Sequence, residues 1–243
     1  MARALDPAAG VLALVSLLVV LSSTVTLNPS AWATGLLWGL GTNAVLAASL
    51  IRSRAPRMGP ANVVTLTRAT LVAGVAAVVA DSFVGPTPVV ALVVLSTVAL
   101  VLDAVDGRVA RRTRTVTPLG ARFDMEVDAF LILVLSVHVA RSAGAWVLLL
   151  GAARYAYGAA GRAWPWLRGS LPARPWRKVV AAAVGIVLVV VSSELLPSTV
   201  ATLALVVATG LLAESFGRDV RTLWRLRLHQ LTGSGPEPAA VPA

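Results

Sequence analysis

Cysteine is absent from this chain of 243 residues, which removes disulfides and thiolate metal sites from consideration. Histidine is nearly absent as well. His138 and His229 lie far apart with no ligand-like spacing. His138 sits in an apolar run and reads as a packed or interfacial residue, and His229 as a solvated residue of a basic tail. Any bound metal must therefore rest on carboxylates, which favours hard ions such as Mg²⁺ or Mn²⁺ over zinc. Charge is scarce too, at 13% of residues, where a soluble domain carries roughly a quarter. Aromatic residues make up only 5% and do not interleave with the basic ones, so the grip that single-stranded nucleic acid requires is missing. No nucleic-acid partner is expected.

What the chain has instead is apolar length: 57% of its residues are hydrophobic. Eight apolar runs can be drawn, over roughly 9–27, 31–51, 62–80, 88–106, 121–140, 143–161, 179–196 and 199–217. Each is long enough to cross a bilayer with some tilt. Breaks rich in Pro, Gly or Asn separate them, as at Asn28-Pro29, Gly85-Pro86-Thr87-Pro88 and Pro197. The expected fold class is all-α, a polytopic membrane helical bundle.

The net charge of +10 supports that topology through its placement. Arginines cluster after the second span (Arg52, Arg54, Arg57) and around the end of the fourth (Arg108, Arg111, Arg112, Arg114, Arg122). They cluster again after the sixth (Arg162, Arg168, Arg174, Arg177, with Lys178) and the eighth (Arg218, Arg221, Arg225, Arg227). Eight crossings put all four clusters on one face together with Arg3, while the opposite loops carry only Arg141. By the positive-inside rule that face is cytoplasmic, with both termini, in the cell membrane, where the arginines meet anionic lipid headgroups. A cleaved signal peptide ending near Ala31-Trp32-Ala33 is a rival for the first span. The long run and the weak amino-terminal charge favour a retained helix. The chain after Leu231 has the composition of a disordered tail. Gly35 and Gly39 form a GxxxG pattern that can bring helices together, a candidate homodimer face. Trp164, Trp166 and Trp176 fit an interfacial anchor.

Five of the eleven acidic residues fall between Asp103 and Asp128. Ionisable groups in membrane spans are costly and mark function by default. On a helix Asp103, Asp106, Gly107 and Ala110 share one face, and so do Gly120, Asp124 and Asp128 on the next span. Two helices would thus present two carboxylates each across a cleft, and such crowding of like charge calls for cations between them. Gly107, Ala110 and Gly120 remove bulk where a nucleotide would approach the backbone. Arg111 offers a planar, permanently charged donor for phosphate. Glu126 points away from this face and lies one turn from Arg122, which suggests an ordinary ion pair. Arg68 lies near a span end, where snorkelling to the interface competes with a phosphate contact. Arg154 is a candidate contact for a donor or acceptor phosphate, and Arg177 and Lys178 divide between substrate contact and membrane orientation.

The segment LDAVDGRVARRTRTVTPLGARFDMEVD contains D-x2-D-G-x2-A-R-x8-G-x3-D-x3-D, eight fixed residues over 26 positions. It resembles the motif of the CDP-alcohol phosphotransferases at every fixed position. Asn62, Thr65 and Arg68 also resemble that family's N-x-x-T-x-x-R at the start of its first core helix. The resemblance covers roughly residues 57–220 and implies a six-helix core, preceded here by an extra helix pair over 1–56 and followed by a basic, then disordered tail over 221–243. It implies Asp103, Asp106 and Asp124 as ligands of divalent metal, with two Mg²⁺ or Mn²⁺ ions in all. Asp128 would help hold the second ion and act as general base. Gly107, Ala110, Arg111 and Gly120 would shape the CDP site, with Asn62 and Thr65. The implied partners are a CDP-linked donor, CDP-diacylglycerol above all with a soluble CDP-alcohol as the alternative, and a polar alcohol acceptor, with CMP released in phospholipid biosynthesis. Between Asp124 and Asp128 stand Met125-Glu126-Val127. Glycerol-phosphate users of the family look like D-P-x-A-D there and serine users like D-S-x-A-D, so the acceptor is left open. An intramembrane prenyltransferase would also bind Mg-diphosphate through aspartates, without needing the glycine, alanine and arginine frame. A cation transporter or cation-binding protein would place its carboxylates near the bilayer midplane on broken helices.

Overall fold

The computed structural model describes the backbone of residues 2–53, 60–113, 118–169 and 175–231. Side chains are described within 8–48, 63–105, 123–169 and 176–228. Among these residues the chain is all-α: α1 Ala2–Thr24, α2 Pro29–Ser53, α3 Pro60–Asp81, α4 Val89–Thr113, α5 Pro118–Ala143, α6 Leu148–Ala163, α7 Pro175–Ser192 and α8 Ser198–Leu231. Four of these helices begin on a proline and α4 and α8 directly after one. Proline's fixed φ suits the first helical position, where its missing N–H costs nothing. Asn28 caps α2: its Oδ1 accepts from the Ala31 N–H at 2.9 Å. The turn from α5 to α6 passes through Gly144 at φ 103°, a conformation that side chains resist.

Helix α3 is the middle of the bundle and packs against α1, α2, α4 and α5. It is apolar all round, as a fully enclosed helix should be: Ala69, Val72, Ala73, Val75, Ala76, Ala77 and Val78 are buried. The main core joins α3 to α4, α5, α7 and α8 through residues such as Leu92, Leu131, Leu135, Leu188 and Leu205. A smaller core on the other flank of α3 joins Leu14 and Leu18 of α1 to Ala31 of α2 and Ala73 and Ala77 of α3. Trp38 of α2 also reaches α5, stacking on Phe130 with ring centroids 3.4 Å apart.

That second core corrects one expectation. A Cβ on Gly35 would lie 3.0 Å from Leu18 and 3.2 Å from the Cβ of Ala77, and one on Gly39 would overlap Leu14. The GxxxG stripe is consumed inside the chain, where it lets α1 and α3 approach α2, and it is not available to a second copy. The exposed faces of α1, α2, α4 and α8 carry apolar residues: Leu12, Leu37, Val90, Val101, Leu203 and Val207 are all exposed. Patches of that extent are stable against lipid rather than water. Two described helical stretches, Val63–Asp81 and Ser198–Leu228, are long and apolar enough to cross a membrane.

Helix ends differ from the apolar runs, most at α8. Its run ends near residue 217, yet the helix continues to Leu231, giving 34 residues. At 1.5 Å per residue that is about 50 Å, well beyond the ~30 Å hydrocarbon layer. Leu223 explains the extension: it is buried, and a Cβ on Gly169 would come within 2.8 Å of its side chain. The short 3-10 turn Pro165–Arg168 after α6 packs there. Trp166 meets Trp224 edge-on at 5.3 Å. The basic segment expected to begin a tail at residue 221 therefore starts as helix, and the disordered tail expected after Leu231 lies outside the described residues.

Candidate metal and phosphate centre

Helix α3 forms the back wall of the carboxylate cleft. Asp103 comes from α4 and Asp124 and Asp128 from α5, and one oxygen from each lies within 4.8 Å of the others. The three side chains are 36%, 34% and 32% exposed, so a polar substrate can reach them. Spacing accounts for the pair on α5, since residues four apart share a helix face. Tertiary packing accounts for the third, because α3 holds both α4 and α5.

At the centre stands Arg68 of α3, 1% exposed. Its Nη2 lies 3.1 Å from an Asp103 oxygen and donates to Asp128, while its Nη1 donates to Asp124. Snorkelling to the interface is thereby ruled out: the side chain turns inward, because three carboxylates offer a planar five-donor group more than headgroups do. The sequence marked Arg68 through the N-x-x-T-x-x-R resemblance but not its three carboxylate partners, which belong to other helices.

Other expected residues fall in different places. Thr65 is buried one turn before Arg68 on α3. Arg154 of α6 donates to Glu126 at 2.5 Å, so Glu126 has a partner on the neighbouring helix; Arg122, its expected partner, lies outside the described side chains. Both members are well exposed, at 39% and 51%, and such pairs contribute little. Lys178 at the start of α7 is exposed and close enough to act electrostatically on Asp103. Arg177 lies 3.6 Å from Asp219 of α8, a buried acid that its isolated position in the sequence did not mark. Beside them a cavity of about 190 Å³ is lined by Trp176, Arg177, Ser215, Arg218 and Asp219. The side chains of Asn62, Asp106, Ala110 and Arg111 lie outside the described residues, and so do Gly107 and Gly120 as lining groups.

Three convergent carboxylate oxygens from two helices are a donor set suited to a hard divalent ion. The buried guanidinium beside them suits an anionic substrate. Residues 58–212, more than half of the chain, match the CDP-alcohol phosphatidyltransferase family. The chain belongs to that family, and with its apolar helices it is a membrane protein. No curated protein and no solved structure matches it.

Proposed function

We propose that this protein transfers a phosphatidyl group from CDP-diacylglycerol to a polar alcohol at the cytoplasmic face of the cell membrane, releasing CMP in phospholipid biosynthesis. The observation that carries this reading is the convergence of Asp103, Asp124 and Asp128 within 4.8 Å, inside a chain of this family. Asp103, Asp106 and Asp124 would hold divalent ions, Mg²⁺ or Mn²⁺, with Asp128 contributing to a second. Such ions supply charge neutralisation at the diphosphate and at the leaving CMP oxygens. Asp128 accepts the proton of the acceptor hydroxyl, for which it must come within about 3 Å, directly or through one water. The acceptor oxygen then bonds to the phosphorus that carries the donor's alcohol, and the bond from that phosphorus to the CMP phosphate oxygen breaks. Gly107, Ala110, Arg111 and Gly120, with Asn62 and Thr65, form the CDP site, and Arg68 balances charge at its edge. Lys178 acts electrostatically on Asp103, whereas Arg154 is engaged with Glu126, so Lys178 is the stronger candidate for the acceptor side.

The arginine clusters support an eight-span topology with both termini and the site cytoplasmic. Residues 57–220 form the transferase unit, and the α1–α2 pair before it braces α3. Any homodimer must use a face other than the Gly35–Gly39 stripe. Transport is disfavoured because α4 and α5 run as continuous helices through the carboxylates, without the breaks an ion pathway uses.

The test is metal-dependent release of CMP from CDP-diacylglycerol by purified protein across a panel of polar alcohols. Release that depends on one alcohol names the acceptor. No release with any alcohol, from folded protein that binds Mg²⁺, rejects CDP-diacylglycerol as donor.

A further inference from the structure

The contacts of Arg68 have a consequence for metal loading. The guanidinium takes an oxygen from each of Asp103, Asp124 and Asp128, and those three residues are the convergent donor set. A magnesium-sized ion binds carboxylate oxygens at about 2.1 Å, so it draws on the same carboxylates as the guanidinium and is repelled by its like charge at contact range. Arg68 cannot withdraw into solvent either, being 1% exposed and flanked on α3 by buried Thr65, Ala69 and Val72. We propose that Arg68 is an internal competitor for the metal: its guanidinium and a divalent cation contend for the same three carboxylates, so Arg68 sets the affinity of the site. It is a positioning residue rather than a catalytic one. The inference rests on the metal reading above, and it makes a prediction that a merely structural arginine would reverse. An arginine that only holds the carboxylates together should, when removed, weaken metal binding. A competitor should, when removed, strengthen it.

The experiment is Mn²⁺ titration of the purified full-length protein in lipid nanodiscs, read from the electron paramagnetic resonance of free Mn²⁺. Wild type, Arg68→Gln, Arg68→Lys and Asp103→Asn are compared. Removing a contact-range positive charge is worth at least about tenfold in affinity, so Arg68→Gln should bind Mn²⁺ that much more tightly than wild type. Arg68→Lys keeps the charge but cannot fork across three carboxylates, and should fall between the two. If Arg68→Gln does not fold, Arg68→Lys against wild type carries the comparison. Equal or weaker binding in the arginine variants, with wild-type binding that Asp103→Asn abolishes, overturns the competition while leaving the metal site standing. Binding that is absent from wild type and the arginine variants alike, or indifferent to Asp103→Asn, overturns the metal reading and this inference with it.

Discussion

The two ends of the central helices treat charge in opposite ways. Arg68 and Asp81 both lie on α3, and Asp128 and Arg141 both on α5. Each pair is thirteen residues apart, about 20 Å along its helix. At the first end one buried arginine gathers three carboxylates. At the second the charges are kept separate. Buried Asp81 accepts from the backbone N–H of Asn28 at 2.8 Å, tying the start of α2 to the end of α3. Arg141 donates to the Ser82 hydroxyl at 2.7 Å and lies over the Phe83 ring. Each group there has one local structural task. Of these two ends only the Arg68 end gathers like charges, which on the proposed function separates a chemical end of the bundle from a structural one.

Substitutions at each end can break that comparison. The largest effect is expected at Asp128→Asn, which keeps the shape and an acceptor oxygen but removes the base. CMP release should fall at least about a hundredfold, with the thermal unfolding midpoint little changed. Next comes Arg68→Gln, which leaves three carboxylates uncompensated. Breaking a buried ion pair costs about 3–5 kcal/mol, and the one-third exposure of these acids reduces that to about 2–3. The loss should be visible in thermal unfolding without divalent ions and should shrink on adding Mn²⁺. At the structural end Asp81→Ala leaves the Asn28 N–H unmatched and should cost about 1–3 kcal/mol, with unchanged CMP release per folded molecule. Smallest is Glu126→Gln, which removes an exposed pair worth less than about 1 kcal/mol. A large activity loss there would move Glu126 and Arg154 into the site and redraw its boundary.

How much of this was legible in the sequence depends on whether the information is local. Apolar runs gave eight expected spans, and eight helices stand among the described residues, because hydrophobic length is a property of consecutive residues. Asp124 and Asp128 share a face by spacing alone. The inward turn of Arg68, the pairing of Glu126 with Arg154 and the internal use of Gly35 and Gly39 were not legible. Each is decided by a residue on another helix: Asp103 for Arg68, Arg154 for Glu126, Leu14 and Ala77 for the glycines. The length of α8 failed for a related reason. A count of apolar residues stops at the arginines, but arginine and leucine are good helix formers, and the turn after α6 supplies cover for Leu223.

The most direct measurement is metal-dependent CMP release by Asp128→Asn and Asp81→Asn, assayed beside wild type at equal folded concentration. A chemical end and a structural end require that Asp128→Asn be nearly inactive while Asp81→Asn releases CMP at the wild-type rate. Full activity in Asp128→Asn, or an equal loss in both, would contradict the assignment of the chemistry to the Arg68 cluster.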